Sequence, residues 1–562
     1  MTLREFLNWQ ALKMSGGYVN VEDLPRKAEK LTFINDIEMI NLSKLREYAI
    51  WYQGDAMELL NFYTYEMAVT TNTEIWAERN QKNMFWGISS TESDIKRTHS
   101  GQAKNIIDTL VSIIDTPDCM AGSPEMGKDN PNNKKLQCIL EENGFWELYK
   151  MTQVPMTLVE GWGAYKIWWD DSISDYPIID YYNAEDVELV YSRRRLVGII
   201  FKDYYTNGKR KYMIAESRYI KGKKLYIHTD VFDITAGDAS LDSACKKIDK
   251  DNLPEGLKID IEDTEVNINK FLAVPCIFYK DASGFLPGRS VLAGKIELLD
   301  DLDQCLSQAA NTVRKSTPVE YINANFLERD RKTGLPIQPK AYDRKYVTFN
   351  GAKTSDGTDV GGSTPVFVTQ PVLNFEQYDN EATAILLQIM NGLISPATLG
   401  MDIAKKDNAE AQREKEKITI FTRNNICSTE AGILRSLFNQ VLIADEIMRT
   451  NNVTTTDYTV TVDFPEFGDS SFETKIALLG DQLDKDNLSV KMYLKQLYGN
   501  KFVNTAEYEE EKKYLEERHK PADEEGEEDN VFGEQKVNNQ FDETDDVLQE
   551  PFEEQGLASS ED

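Results

Sequence analysis

The stretch NGLISPATLGMDIAKKDNAEAQREKEK, residues 391–417, changes character twice and sets the organisation of the whole chain. It starts at the end of an apolar segment and passes through Pro396 and Gly400. It then becomes charged in six of the ten residues from Asn408 to Lys417. Pro and Gly interrupt regular structure. The sequence therefore predicts two helices separated by a loop at 394–407.

Upstream of this loop, apolar residues recur at helical spacing on both sides of a short β-rich segment. The first stripe, within 286–315, consists of Leu292, Ile296, Leu299, Leu302, Leu306, Ala310 and Val313. The second stripe, within 374–393, consists of Tyr378, Ala382, Ile385, Leu386, Ile389 and Leu393. Between them, PVEYINANF, KYVTFNG and PVFVTQP favour strands around the Gly-rich TSDGTDVGGST. Two long helices should therefore bracket a small β insertion at 316–373.

The remaining regions alternate between helical and strand-like patterns. Residues 33–115 repeat apolar positions every three or four residues, which predicts a helical part. Residues 155–280 contain short aromatic and β-branched runs separated by turn residues, which predicts a mainly antiparallel sheet. Residues 408–469 should form a long helix followed by the strand YTVTVDFPEF. The expected fold class is α+β.

Composition limits the classes of function. The chain has 562 residues and 41% hydrophobic content, which is enough for several domains. No stretch approaches the roughly 20 apolar residues of a membrane span, and MTLREFLNWQ lacks the pattern of a secretory signal. We therefore expect the protein to function in an aqueous interior and to have no membrane partner.

Few residues are suited to metal binding or nucleophilic catalysis. The six cysteines form no CxxC pair, and the chain has three histidines. We therefore expect reduced thiols, no metal and no catalytic histidine. No GxxxxGK[ST] run is present to hold nucleotide phosphates. We predict that the chain binds no cofactor and is not an enzyme.

The net charge of −32 is unevenly distributed. From Pro521 to Asp562, sixteen acidic residues face the single Lys536, so this tail carries −15. It holds too few apolar residues to offset the entropy of ordering. We expect 519–562 to be disordered, either as a solubilising tail or as a segment that binds a partner.

The order of these elements resembles the portal proteins of tailed bacteriophages, the head-to-tail connectors. The resemblance covers most of 33–518 and rests on several segments in one order rather than on one specific motif. These segments are LREYAIWYQGDAMELLNFY, HSGQAKNIIDTL, AEDVELVY, NGLISPATLGMD, NAEAQREKEK and VTVDFPEFGDSSFETKIALLGDQLDKDNLSVKMYLKQLYG.

The resemblance implies an architecture of wing, two-helix stem, small β-containing clip, helical crown and disordered acidic C-terminal tail. Its regions would be a wing at 1–285, stem helices at 286–315 and 374–393, a clip at 316–373, a tunnel loop at 394–407, a long wing helix and returning strand at 408–469, a crown at 470–518 and the tail at 519–562.

The function that the resemblance implies is a channel at one capsid vertex. A dodecameric ring would admit double-stranded DNA during packaging and release it during ejection. The ring would dock the terminase large subunit and head-tail adaptor proteins, and it would contact the major capsid protein and scaffold. The location would be the virion, with assembly in the host cytoplasm.

Helix geometry is compatible with such a ring. Helices pack about 8–10 Å apart, so six lining helices would leave a bore of roughly 9 Å and twelve would leave roughly 28 Å. A duplex is on the order of 20 Å across. A ring of twelve copies therefore fits, whereas a ring of six does not.

Two sets of residues are candidates for contact with the channel. Glu297, Asp300, Asp301 and Asp303 on the first stem helix would repel phosphates if they faced the bore, but they could equally lie on a solvated or intersubunit face. Ser395, Thr398, Lys405 and Lys406 would face DNA on the tunnel loop, whose ordinary alternative is a solvated helix start.

Basic residues cluster in two further short segments. Arg193, Arg194 and Arg195 lie between two predicted strands, and so do Lys221, Lys223 and Lys224. Both segments have the pattern of hairpin turns, where charge marks solvent exposure. A role in DNA contact is the alternative.

A carbohydrate-active hydrolase is the alternative function. Glu160 and Asp170 lie in EGWGAYKIWWDD close to three tryptophans, Trp162, Trp168 and Trp169. Paired carboxylates among aromatic rings are typical of glycoside cleavage. Aromatic-rich strands, however, more commonly belong to a core.

Overall fold

The computed structural model describes residues 36–66, 84–88, 95–122, 130–235, 246–249, 252–254, 257, 263–281, 286–316, 318–323, 327–335, 337, 345–349, 366–369, 375–401, 409–450, 457–465, 476, 479–483, 485, 488–498 and 506–518. The predictions for the Gly-rich stretch 354–364, for Lys405 and Lys406, and for the tail 519–562 lie outside these residues. The chain divides into two compact units, Met1–Asp469 and Ser470–Asp562.

The helices of the described residues are numbered in chain order. They are α1 (Asp36–Gln53), α2 (Ala56–Asn61), α3 (Gln102–Ile113), α4 (Pro131–Glu142), α5 (Phe145–Leu148), α6 (Val154–Glu160), α7 (Ile296–Lys315), α8 (Phe375–Met390), α9 (Ala409–Thr450), α10 (Val490–Tyr498) and α11 (Ala506–Arg518). A single 3₁₀ turn, Phe85–Gly87, also contributes to the site described below.

The strands of the described residues are numbered in the same way. They are β1 (Asp118–Ala121), β2 (Trp162–Trp168), β3 (Ile178–Asn183), β4 (Val187–Ser192), β5 (Arg195–Asn207), β6 (Arg210–Lys221), β7 (Lys224–Asp233), β8 (Lys246–Ile248), β9 (Thr264–Val266), β10 (Ala273–Ile277), β11 (Val319–Asn323), β12 (Lys345–Phe349), β13 (Val366–Thr369) and β14 (Val460–Asp463).

These strands form four sheets. The largest has the order β4-β5-β6-β7-β8, with β9 also paired to β7, and a second has the order β10-β2-β3. The third, of order β12-β11-β13, lies between α7 and α8 in sequence. In the fourth, β1 pairs with β14, which brings the returning strand next to the N-terminal region. Only β11 and β12 pair in parallel among the described strands. The mixture of helices and mostly antiparallel sheets confirms the predicted α+β class.

The main core of the first unit forms around the middle of α9. Phe438 is fully buried, and its ring packs edge-on against Phe145 of α5 with centroids 5.4 Å apart. Phe145 in turn contacts Tyr165 of β2 at 5.8 Å. The long helix α9, the short helix α5 and the sheet β10-β2-β3 therefore share one core.

Within the described residues of 33–115, α1, α2 and α3 confirm the N-terminal helical prediction. In α3 the buried residues follow the apolar spacing of the sequence: Ala103, Ile106, Ile107, Leu110 and Ile113. A helix with one apolar face is stabilised mainly by burying that face. The same face explains why this segment lies against the core.

The prediction of one sheet over 155–280 is wrong in its number of sheets. The strands are antiparallel as expected, but β2, β3 and β10 form a sheet separate from β4–β8. β2 is buried along almost its whole length, because helices of the core cover it. Its apolar run therefore belongs to a central strand with two covered faces, a position that periodicity alone does not reveal.

The helices around the opening stretch were predicted with small errors at their ends. The first begins at Ile296, because residues 291–295 form turns. The second ends at Met390, and the long helix spans Ala409–Thr450. The three strands predicted between the first two helices are present as β11, β12 and β13.

The second unit contains α10 and α11, which pack against each other. Leu494 of α10 and Tyr508 of α11 are buried. Among the described residues of the whole chain, no helix combines the length and the apolar content that a membrane crossing requires.

Candidate functional site

The antiparallel pair α7 and α8, called the helical arm below, is the element on which the predicted channel depends. Sγ of Cys305 lies 3.5 Å from the carbonyl oxygen of Tyr378, and Nζ of Lys295 donates to the carbonyl oxygen of Gln388 at 3.1 Å. The start of one helix therefore lies beside the end of the other. With a rise of 1.5 Å per residue, α7 is about 30 Å long and α8 about 24 Å. The three-stranded sheet of β11, β12 and β13 connects them.

The predicted apolar stripes provide much of the packing of the arm. Leu299 and Leu302 of α7 are buried, and so is Ile389 of α8. Ala382, Ile385 and Leu386 are partly buried against the same core. The stripe residues therefore hold the two helices together and attach the base of the arm to the first unit.

A second face of α7 is also buried, and this corrects the prediction for two acidic residues. Asp300 is 2% exposed and Asp303 is fully buried, so neither carboxylate can line a channel. Their side chains point into the subunit, against the 3₁₀ turn Phe85–Gly87 and residues 95–100. The two residues anchor the arm instead.

Asp300 accepts hydrogen bonds from the start of the 3₁₀ turn. Its Oδ2 accepts from the backbone N–H of Phe85 at 2.6 Å, and its Oδ1 accepts from the N–H of Trp86 at 3.3 Å. Burial raises the pKa of Asp300 to about 7, although these two N–H groups oppose the shift. The carboxylate satisfies donors that a helical turn leaves without internal partners.

Asp303 holds the chain on the other side of that turn. Its Oδ2 lies 2.6 Å from Nδ1 of His99 and accepts from Nε1 of Trp86 at 3.0 Å. Its Oδ1 accepts from the backbone N–H of Ser100 at 2.8 Å. One helical turn further along α7, Oγ of Ser307 accepts from the N–H of Thr98 at 2.8 Å. Four donors from two distant segments thus converge on one face of α7.

The sequence contained a signal for this buried polar face. Ile296, Asp300, Asp303 and Ser307 follow one another at steps of four, three and four residues, which places them on one helix face. Because Asp300 and Asp303 lie off the apolar stripe, the sequence pattern placed them on the outside of the helix. His99, Trp86 and Ser307 were not predicted, because nothing in their local pattern indicates their partners some 200 residues away.

The other two acidic residues remain on the outside of the arm. Glu297 and Asp301 are exposed, and Glu381 of α8 is exposed beside them. Partial burial raises the pKa of Asp301, and the negative charges of Glu297 and Glu381 raise it further. Glu297, Asp301 and Glu381 are called the acidic face below. Glu381 was missing from the prediction because it lies on the other helix.

The loop that follows α8 is fixed to α9 by a threonine. α8 ends in a left-handed Gly392, with φ of 76°, and Gly400 has φ of 72°. The backbone N–H of Ser395 donates to Oγ1 of Thr419 at 2.8 Å, and Oγ1 of Thr398 lies 2.9 Å from the same atom. Ser395 is 3% exposed. The prediction that Ser395 faces DNA is therefore wrong, and Thr398 is tied to α9.

The arm also exposes apolar side chains. Phe375 is 56% exposed, Leu387 is 46% exposed and Val313 is 45% exposed. A groove of about 550 Å³ runs between polar residues of α3, such as Asn105 and Asp108, and the apolar Leu386, Leu399 and Met401 near the base of the arm. Exposed apolar groups mark contact surfaces where they form a contiguous patch.

The carboxylate pair of the alternative hydrolase does not come together. Glu160 ends α6, and Asp170 follows β2, so a seven-residue extended strand separates them. At about 3.3 Å per residue, this strand spans roughly 20 Å, whereas glycosidases hold their two carboxyl groups within about 10 Å. Oε2 of Glu160 accepts from the N–H of Ala184 at 2.7 Å, and burial raises its pKa to about 8. Glu160 is a buried structural acid.

Within the described residues, no group of three or more His, Cys, Asp or Glu side chains is arranged to hold a metal ion.

The two predicted basic segments are hairpin turns, at residues 193–194 between β4 and β5 and at residues 222–223 between β6 and β7.

No protein-family model matches the sequence, and no curated protein matches it. Its fold matches 45 chains of solved structures. One is described as the neck of an empty GTA particle computed with C6 symmetry. That similarity covers 71% of this chain and 91% of the other, with 10% sequence identity and a TM-score of 0.35. A likeness this distant carries no argument about function, which depends on the residues and geometry described above.

Proposed function

We propose that this chain is the subunit of a tailed-bacteriophage portal, in which about twelve copies form a ring that double-stranded DNA enters and leaves. The helical arm carries this proposal. Two antiparallel helices bracket a small three-stranded sheet, and the loop after them leads into a helix of 42 residues. The sequence resemblance implies the same order of stem, clip, tunnel loop and wing helix.

The apolar surface of the arm supports assembly. Val313, Phe375 and Leu387 gain little from their position in a single subunit, because about half of each side chain stays in water. Packing against a neighbouring copy would remove that apolar area from water, at about 25 cal/mol per Å². Ring closure would repeat this contact between every pair of neighbours.

The acidic face supports passage without tight binding. Proteins that hold DNA place Lys and Arg against phosphates, and each such contact adds affinity. Glu297, Asp301 and Glu381 carry the opposite charge on the exposed side of the arm. In the proposed ring this face lines the bore and repels the duplex. The tunnel loop, with Lys405 and Lys406, would supply the lighter positive contacts.

The small sheet is the proposed dock for other proteins. Its order, β12-β11-β13, leaves β12 and β13 as edges within the described residues. Edge strands pair readily with strands of another chain. The terminase large subunit and head-tail adaptors would bind there, with the major capsid protein and scaffold around the ring at the capsid vertex. The chain itself would catalyse no reaction, and assembly would take place in the host cytoplasm.

Negative-stain microscopy of the purified chain tests the proposal. We expect rings of about twelve subunits with a bore wider than the roughly 20 Å of a duplex. The double variant Phe375→Glu, Leu387→Glu should remain folded and fail to form rings, because it would bury two charges in the contact. Ile173→Glu is the matched control, since Ile173 is 65% exposed in the β2–β3 connection, away from the arm.

Two results would overturn the proposal. One is a wild-type chain that stays monomeric at high concentration, and the other is a closed ring whose bore is narrower than a duplex. The loop is tested separately by deleting residues 396–406 in the complete phage. Intact particles that lose packaged DNA would support a role in retention, whereas normal packaging would remove the loop from the mechanism.

A further inference from the structure

The two basic hairpin turns lie side by side at one end of the six-stranded sheet, where its strands reverse direction. β4, β5, β6 and β7 are consecutive neighbours, so the β4–β5 turn and the β6–β7 turn point to the same end. The β5–β6 turn points to the opposite end. In the register of β5 and β6, Gly198 is opposite Tyr219, which brings residues 195–196 level with residues 221–222. The sheet therefore joins two segments that are distant in sequence.

These turns concentrate positive charge in a chain whose net charge is −32. We call the following six residues the basic edge: Arg193, Arg194, Arg195, Lys221, Lys223 and Lys224. The first five are exposed. Lys224 forms an ion pair with Glu265 of β9, and Arg193 and Lys221 also have partners within the chain. The edge brings six cations together, and Glu265 neutralises part of their charge.

The backbone of the turns makes these cations unusual. Arg193, Arg194 and Lys223 have φ of 49°, 63° and 68°. This left-handed region is unfavourable for residues with a Cβ, and two-residue hairpin turns of this kind normally use Asn-Gly or Gly-Gly. Among the described residues, the only other non-glycine with positive φ is Leu272.

The shape of the turns therefore does not account for their residues. Asn and Gly would form the same turns with less strain, yet three of the four central positions hold Arg or Lys. Strained backbone positions of this kind cluster at functional sites. The feature that Arg and Lys add here is exposed positive charge.

We propose that the basic edge binds the sugar-phosphate backbone of double-stranded DNA, without sequence preference. The two turns are separated by two strand spacings, which is about 10 Å. One strand of a duplex carries a phosphate every 3.4 Å or so along its axis, so the turns reach phosphates about three positions apart. Three neighbouring guanidinium groups favour phosphate, which they bind through paired hydrogen bonds. This surface belongs to the sheet, not to the helical arm, and does not require the ring.

The test measures binding of a short fluorescent duplex to the purified full chain over a series of salt concentrations. The triple variant Arg193→Asn, Arg194→Gly, Lys223→Asn removes three cations and replaces them with residues that suit the turns. We expect the affinity to fall by about tenfold or more and the slope of log K against log salt to decrease by about 3. The melting temperature should stay the same or rise, so misfolding would not explain the loss.

The opposite end of the same sheet, at the β5–β6 turn, provides a matched control. Lys209→Gln, Arg210→Gln, Lys211→Gln removes the same number of charges at the β5–β6 turn. We expect this variant to bind DNA as the wild type does. Equal losses in the two triple variants, or no wild-type binding at low salt, would overturn the proposal.

A competition experiment distinguishes DNA from an acidic protein partner. An unlabelled duplex should displace the fluorescent one, whereas poly-glutamate of equal charge should displace it much less. Equal competition by poly-glutamate would overturn the assignment to DNA. Because binding is measured whether or not rings form, failure here and failure of the proposed portal assembly give different results.

Discussion

Nδ1 of His99 lies 2.6 Å from Oδ2 of Asp303, and both side chains are almost completely buried. The pair connects the middle of α7 to a segment that enters the fold some 200 residues earlier. With Trp86 and Ser100 donating to the same carboxylate, Asp303 joins three parts of the first unit at the base of the arm.

Asp303→Asn should therefore destabilise the protein by about 3 kcal/mol, because the new amide N–H₂ would face donors and leave some of them unpaired in the core. Urea denaturation followed by tryptophan fluorescence measures the loss. Asp301→Asn is the control two residues away on the exposed side, where we expect a change within about 0.5 kcal/mol. Similar losses in both variants would mean that Asp303 does not anchor α7.

The anchoring of the arm also explains which features the sequence could predict. The helices α7, α8 and α9 and the strands of the small sheet follow from periodicity, since each has its own repeating pattern of apolar residues. The buried role of Asp300 and Asp303 does not, because their donors Phe85, Trp86 and Ser100 come from distant segments. The spacing of Ile296, Asp300, Asp303 and Ser307 shows that they share one face of α7, whereas the burial of that face depends on its distant partners.

The loop after α8 was likewise predictable only in part. Pro396 and Gly400 correctly predicted a break in regular structure. Ser395 is buried because its backbone N–H bonds to Thr419 of α9, and only folding brings these two residues together. In the acidic face, likewise, Glu381 joins Glu297 and Asp301 through the packing of two helices that are 60 residues apart at their nearest ends.

The junction between α6 and β2 leaves no room for a side chain at Gly161. This residue has φ of 97°, and an added Cβ would lie 2.7 Å from the carbonyl carbon of Arg289 and 2.8 Å from the nitrogen of Ser290. Both contacts are to backbone, which cannot move aside as a flexible side chain would.

We expect Gly161→Ala to destabilise the protein by about 3 kcal/mol through backbone strain and overpacking. Gly432→Ala is the opposite case, because Gly432 lies inside α9 and an added Cβ meets nothing within 4 Å. It should stabilise by up to about 1 kcal/mol, since alanine is the better helix former. Thermal unfolding of the two variants should therefore shift in opposite directions, and a loss in both would contradict the open space at Gly432.

Glu430 is fully buried in the core between α9 and the sheet β10-β2-β3. Its Oε2 accepts from Nε2 of Gln153 at 3.3 Å, and burial raises its pKa from 4.5 to about 8. The folded state therefore keeps a proton on this carboxyl group at a pH where the unfolded chain has released it. The resulting stabilisation is complete below about pH 4.5 and is lost as the pH rises to about 8. Burial raises the pKa of Glu160 and Asp300 as well, so both add to the same trend.

Glu430→Gln should remove the contribution of this one group, because glutamine has the shape and hydrogen-bonding capacity of the neutral acid and does not ionise. Near pH 5 the variant and the wild type should be about equally stable, whereas near pH 9 the variant should be more stable by on the order of 5 kcal/mol. Calorimetric melting temperatures across this range measure the difference. Glu381→Gln, on the exposed acidic face, should give a curve parallel to that of the wild type. If the Glu430→Gln curve were also parallel, or if the variant lost stability at high pH, the buried carboxyl group would already be ionised in the folded protein, held by charges or water inside the core.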